Sequence, residues 1–586
     1  MLQKRILAIV AVAAALATAA GPANGASTPE RLVFDGNVLW GNSTTGAVPL
    51  PYSTASGPCT TGVAPGTPIT FTVTQLATTY FTHNRTDLDP RLVDPFNLTT
   101  PRWDPQLSSP LNAKYATDAV VMDSRSLDTW FDNTDYVGAI PYRLADPSQD
   151  WTTGWTYTNN SGGLGRTDIN YAKPVQILQG QQLTSVTLSN VNNYLVRGKF
   201  EMVAGATLTI PAGTYLFGEK ATTGYITIDR GAKLVVNGTK ASPVVFTSDQ
   251  DPSLGLMAPG DNGGIVIHGR AIANCANTAA GDSCVSEGGA GNFGGGDDND
   301  DSGSIRYLRI EYSGKELSPN NELNSLTMNA VGATTSIEYV QAHLGSDDAF
   351  EWFGGTGRAK HLVATGADDD GLDWQLGWRG RVQYAVVQMY PGRGDKGIEA
   401  DNSEFNFAAP NRSNPILVNL SLVGTNPPTG GAGTSNRGIH LRRGTAGTIL
   451  NSVIVGFRGP GLDLSDPETF ANCPGTAPSV LVSPVVTSVE SQTPFGSTRS
   501  YMTASPNPAN GSTQILFGLN RDRRDARAQI FDAQGRLVET LTTGPMGKGV
   551  HRIQWTPSRS LPAGHYFFRL SAEDGVAATG KLVMVK

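Results

Sequence analysis

Residues 336–465 repeat one short unit about five times, and few folds accept such a repeat. A small residue, an apolar one, a polar one and a further small or apolar one recur as Ala349-Phe350-Glu351-Trp352, Gly371-Leu372-Asp373-Trp374, Gly397-Ile398-Glu399-Ala400, Gly438-Ile439-His440-Leu441 and Gly461-Leu462-Asp463-Leu464. Successive anchors lie 22, 26, 41 and 23 residues apart, and the long interval holds two loop-like insertions, 402–415 and 425–436. A period in the low twenties built from strand-like units specifies a solenoid, a right-handed parallel β-helix in which each repeat is one coil.

Alternate residues of a strand face opposite sides. Phe350, Leu372, Ile398, Ile439 and Leu462 therefore form one inward column, and Trp352, Trp374, Ala400, Leu441 and Leu464 a second. Glu351, Asp373, Glu399, His440 and Asp463, between them, face outward, and Asp347, Asp369, Asp395 and Asn436 sit two residues before their anchors. Coils in register turn each set into a ladder with rungs ~4.8 Å apart. Like charges at that spacing cost roughly 3 kcal/mol per adjacent pair at an effective dielectric near ~20. A raised carboxyl pKa, a bound cation or neighbouring Arg379, Arg381, Arg393 and Lys396 would relieve that cost. Three roles stay open for the ladders. They are turn and surface chemistry, cation binding with Asp347, Asp369 and Asp395 as ligands, and catalysis by Glu351, Asp373 and Glu399. Glycosidases place two carboxyls about 5–9 Å apart, a spacing that adjacent rungs supply. Trp352 and Trp374 read as core, and His440 as a solvated ladder member.

Short alternating runs start the coils at about residue 196, with Thr207-Leu208-Thr209-Ile210, Tyr225-Ile226-Thr227-Ile228 and Leu234-Val235-Val236 among them. Residues 274–304 interrupt with a Gly-rich acidic insertion. There the spacing of Asp297, Asn299 and Asp301 resembles a calcium loop, but Ser302 and Leu308 stand where an EF-hand needs Gly and Glu. Cys275 and Cys284, nine apart in this insertion, are expected to pair, whereas spacing leaves Cys59 and Cys473 undecided. Residues 27–195 are irregular, and the aromatic patches at 128–139 and 150–155 are expected to cap the open end of the solenoid.

Lys4 and Arg5, the apolar run 6–16 and the small residues up to Ala26 read as a secretory signal peptide over 1–26. No other run is long and apolar enough to span a membrane. A net charge of -7 offers no basic face for nucleic acid. After a Ser/Thr/Pro-rich linker at 476–500, six short strand-like runs separated by the turns Asp532-Ala533-Gln534-Gly535 and Leu561-Pro562-Ala563-Gly564 predict an immunoglobulin-like β-sandwich over 501–586. The fold class is all-β, with the solenoid at 196–475.

Two resemblances add to this. Gly263-Gly264-Ile265-Val266-Ile267, the acidic insertion leading into Arg306-Tyr307-Leu308-Arg309-Ile310-Glu311-Tyr312, Asp347-Asp348-Ala349-Phe350-Glu351-Trp352-Phe353-Gly354-Gly355-Thr356, Asp368-Asp369-Asp370-Gly371-Leu372-Asp373-Trp374 and Asp135-Tyr136-Val137-Gly138-Ala139 resemble a family of secreted bacterial β-helix proteins, some lipoprotein-like, over roughly residues 129–463. That resemblance implies the fold and an extracellular or cell-envelope location, with no established reaction; this chain lacks the family's lipid-anchor cysteine. Asn507-Pro508, residues 532–538, Pro562-Ala563-Gly564-His565-Tyr566 and the terminal Gly580-Lys581-Leu582-Val583-Met584-Val585-Lys586 resemble the C-terminal sorting domains of type IX secretion substrates and the related FlgD-like modules. They imply the outer-membrane secretion machinery as a partner and a place on the bacterial surface. The expectation is a surface structural or binding protein for glycans or other repetitive ligands. A polysaccharide lyase or glycoside hydrolase, and an adhesin stabilised by Ca²⁺, are the alternatives.

Overall fold

The inward columns become the wall of a three-sided coil. The computed structural model describes residues 32–40, 52–54, 84–85, 89–106, 109–111, 121–142, 150–275, 284–318, 321–425, 435–472, 501–505, 513–519, 522–546, 549–557, 561–572 and 575–584. Two compact units divide at residue 485. In the first, 25 strands form one continuous parallel sheet wound into a right-handed β-helix.

Each coil contributes to three faces. One face stacks Ile265–His268, Leu326–Asn329, Phe350–Phe353, Leu372–Gln375, Lys396–Ala400, Arg437–Leu441 and Leu462–Leu464 in sequence order. The other two are the halves of long bent strands such as Ser336–His343, Arg358–Thr365, Arg381–Gln388 and Ile416–Val423. Those strands bend at Tyr307, Tyr339, His361, Tyr384 and Asn419, all in the left-handed region with φ from 50 to 63°. That conformation costs a side-chain-bearing residue roughly 1–2 kcal/mol. Stacking down the corner offsets it, with ring centroids 4.4 Å apart for Tyr307–Tyr339, 4.2 Å for Tyr339–His361 and 4.9 Å for His361–Tyr384. Inside, Phe350, Leu372, Ile398, Ile439 and Leu462 are fully buried, and Trp352 stacks on Trp378 at 4.5 Å.

The N-terminal region divides between one end of the solenoid and its side. The coils begin at Val175–Gln182 rather than at residue 196. Leu32–Asp35, Val38–Trp40 and Tyr52–Thr54 pair in parallel with Gly447–Leu450, Val453–Val455 and Leu462–Leu464. They add one further coil at the far end of the stack. The aromatic patches clad the side of the solenoid. Val137, Ile140, Trp103 and Trp155 pack on the outward Val363, Val386, Val423 and Val453 of one face. Met122 and Phe131 pack on Ile416, Val418 and Leu450 of the next. A buried ion network pins this cladding. Arg166 donates to both carboxylate oxygens of Glu311 at 2.5 and 2.9 Å, both side chains being fully buried, and Arg309 lies 3.0 Å from Glu311.

The second unit is a sandwich of a three-stranded sheet, Tyr501–Ser505, Thr513–Leu519 and Gly549–Trp555, and a four-stranded one, Leu537–Met546, Arg523–Asp532, Gly564–Ala572 and Gly575–Met584. Ile515, Ile530, Trp555, Phe568 and Leu582 fill its core. Cys275 and Cys284 form a disulfide. The signal-peptide segment, Cys59, Cys473 and the linker lie outside the described residues.

Candidate functional site: an acidic column on the unclad face

Cladding covers two faces, so the third carries the candidate site. Its outward column is in register: Thr327, Glu351, Asp373, Glu399, His440 and Asp463 are successive partners on neighbouring strands. These side chains point away from the core and yet are shielded. Glu351 is 4% exposed, Glu399 8%, His440 8% and Asp463 1%. His440 is thus not solvated; Ser465 sits 2.9 Å from its Nε2, and burial first, then Arg437 and Arg442, hold its pKa down at about 3.

The chain closes over the column from both ends. Above it the disulfide-closed insertion seats Ser286 on Asn329, whose Nδ2 donates at 2.9 Å, and Ala290 packs on Val266. That brings Glu287 to the column's edge, where burial and then Glu322 push its pKa up to about 7. Below it Arg442 reaches back from the corner after Arg437–Leu441 to both Glu399 and Asp401.

A second acidic column runs beside the first. Asp348 and Asp370 stand one residue before their anchors, and a chain of backbone bonds fixes them. The Asn324 side chain accepts the Asp348 N–H at 3.2 Å, Asp348 that of Asp370 at 2.8 Å, and Asp370 that of Lys396 at 2.7 Å. One oxygen of each Asp accepts from the next rung; the second oxygen of Asp370 lies 3.6 Å from the Lys396 ammonium. Three overlapping carboxylate triads result: Asp347/Asp348/Asp369, Asp348/Asp370/Asp373 and Asp369/Asp370/Asp395, with one ligand oxygen of each residue within 4.8 Å of the others.

The expected residues divide between two environments. Glu351 meets only amide donors, from Asn324 and from Gln375 at 3.2 Å. Burial, then Glu287 and Asp373, hold its pKa well above the usual carboxylate range. Asp373 is held high by burial and then Glu399, and its Oδ1 is buried with no hydrogen-bond partner. Asp348 and Asp370 are held high by burial and by their acidic neighbours, and Asp347 is pushed up to about 8 by burial and then Asp369. Glu399 instead lies 2.7 Å from the Lys396 ammonium. For Asp395 burial raises the pKa, but the Lys396 hydrogen bond and charge outweigh it and leave it lowered. At one end of the column the carboxyls are held above their usual range, while at the other Glu399 and Asp395 face the Lys396 ammonium, two environments of the kind that acid and base roles use.

Of the four cations expected near the ladder only Lys396 reaches it. Arg379 pairs with Asp298, Arg381 with Asp128 and Arg393 with Asp368. Asp297 Oδ1 accepts the Asn299 N–H at 3.0 Å, and Asp301 pairs with Lys233 at 2.5 Å. Asp348, Asp370, Glu287, Glu322 and Arg442 were missed. The two Asp residues stand in plain view in Asp347-Asp348-Ala349 and Asp369-Asp370-Gly371, where counting back one residue rather than two finds them.

Among known proteins, no curated sequence matches the chain. A solved structure with partial likeness is a chitinase from Paenibacillus sp. str. FPU-7, described as a bacterial cell-surface-expressed multi-modular enzyme. It is 9% identical, with a TM-score of 0.16 over 70% of this chain. The chain spans 24% of that enzyme's length, and a likeness at this level carries no argument. The FlgD Ig-like domain matches residues 503–575. The pectate-lyase-like β-helix domain matches residues 180–513, more than half of the 586 residues, and the chain belongs to that family.

Proposed function

We propose that this is an extracellular protein that presents its unclad β-helix face to a glycan of repeating structure. The observation that carries the reading is the in-register column from Glu351 to Asp463 on the face that, among the described residues, the aromatic cladding does not cover. A ladder with one polar group per ~4.8 Å rung suits a polymer that repeats its own groups. The carboxylate triads fit a hard cation such as Ca²⁺, which takes oxygen ligands only. The unpartnered Asp373 Oδ1 supports that fit. Such an ion would neutralise the column and bridge it to hydroxyl or carboxylate groups of a sugar. The C-terminal Ig-like unit is proposed to be the sorting domain for type IX export to the bacterial surface.

A second reading, cleavage of the polymer, is favoured by one observation. Glu351 and Asp373, whose pKa values burial and acidic neighbours raise, stand beside Glu399, which pairs with Lys396 and Arg442. In that reading a protonated carboxyl donates to the leaving oxygen and an ionised one acts as base or nucleophile.

One experiment separates the two. The mature chain is incubated with bacterial, algal and plant polysaccharides, with and without Ca²⁺, and retained protein and new chain ends are read from the same tubes. Retention without new ends supports binding. New ends that vanish in Asp373→Asn, with the fold intact, make the column catalytic. Neither retention nor new ends on any polymer refutes both.

A further inference from the structure

The first coil is one of the two ends of the stack. Val175–Gln182 pairs on one side only, with Asn193–Met202, and among the described residues its other edge has no ladder partner. Val175, Ile177, Leu183 and Val191 of this coil are 56, 50, 74 and 66% exposed. No Asp, Glu, Lys or Arg occurs from Pro174 to Val196. Unpaired strand edges of soluble proteins normally carry charge, proline or a bulge against pairing. This edge carries no charge, and its one irregularity, at Gln179/Gly180, leaves Val175–Gln179 straight.

We propose that this end of the solenoid is the interface of a twofold homodimer, in which Val175–Gln179 pairs antiparallel with the same strand of a second copy. The chemistry of the edge selects its own copy. An uncharged strand opposes itself with no like-charge contact, whereas a charged partner edge finds nothing here to answer it. With the twofold axis at Ile177, that residue meets its own counterpart and Val175 meets Gln179, so the two outward apolar chains of each copy form one strip. Four apolar chains at this exposure supply roughly 400 Å² per copy, within the range of the largest apolar patch of a monomer, which is often functional. The strand edge and the glutamines of the same coil extend it toward the ~800 Å² per partner of a stable dimer. A contact of one strand with itself closes after two copies.

The test is the mass of the full mature chain by light scattering across a dilution series. The expected result is a dimer for the wild type. Ile177→Lys should become monomeric, or dissociate at about tenfold or more higher concentration, with an unchanged circular dichroism spectrum. Leu183→Lys, in an exposed turn of the same coil, is the second variant should Ile177→Lys fail to fold. Oxidised Ile177→Cys should run as a covalent dimer. A wild type that is monomeric at every concentration overturns the proposal, as does a dimer that survives both lysine variants.

Discussion

Raising the pH should loosen this protein through two carboxyls at the edge of the acidic face. Glu287 titrates at about 7 instead of 4.5, and Asp347 at about 8 instead of 3.8. Both folded values lie above the unfolded ones, so between pH 4 and 8 these two groups hold more protons in the folded chain than in the unfolded one. Stability from these groups is therefore greatest below about pH 4 and is lost as the pH rises through 7 and 8. At about 1.4 kcal/mol per unit the shifts set ceilings near 3 and 6 kcal/mol. The two charges repel one another and both side chains keep some contact with water, so about 3 kcal/mol lost between pH 5 and 9 is the working figure. Unfolding entropy scales with size, so for a unit of ~450 residues each kcal/mol moves the midpoint by only about 1 °C. Calorimetry at one scan rate, in chelator, should show the wild-type midpoint falling by about 3 °C more than that of the Glu287→Gln/Asp347→Asn double variant over this range. Calcium at pH 9 should restore the wild type and leave the double variant less affected. Equal pH dependence in the two proteins would refute the reasoning.

Other outcomes follow from the same contacts. Asp373→Asn removes a buried carboxyl held above its usual range, and its melting point at pH 8 should equal or exceed that of the wild type. Arg166→Met strands the buried Glu311 with Arg309 alone, and should cost about 3 kcal/mol and open the cladding to protease; Arg166→Met/Glu311→Leu should recover most of the loss. Trp378→Ala empties the space under Trp352 and Trp374 and should cost about 3–5 kcal/mol in denaturant titration. Removing residues 27–54 bares the outer edge of Gly447–Leu450 and its neighbours, and light scattering should rise with time relative to the intact chain.

Local rules made much of the fold readable. Small-apolar-polar-apolar units with a coil-length period leave little besides a β-helix, and the inward columns emerged as read because a strand alternates its sides strictly. Six of the seven described strands of the C-terminal unit were legible for the same reason, though they extend further than their apolar cores imply, and Tyr501–Ser505 was not. The N-terminal coil was not. Leu32 meets Gly447 across more than four hundred residues, and no local pattern encodes such a partner. The cladding was misread because Trp155 and Val137 look alike whether they cover the end of a solenoid or its side. In the site, Glu351, Asp373 and Glu399 were found from alternation. Their burial was not, since it depends on Glu287 and Arg442 arriving from remote corners of the chain.

The terminal coil sets an order of assembly. Coils from Val175 onward can pair as each one forms, because every strand lies on a strand of the coil before it. The ladder for Leu32–Asp35 does not exist until Gly447–Leu450 has found its place. The segment that begins the described chain is thus the last piece of the solenoid to be seated. Up to that moment it is a free set of strands with a vacant edge waiting at the other end of the molecule. Folding should therefore finish in a slow, long-range step, with contacts of very high sequence separation formed after the bulk of the strand signal has appeared.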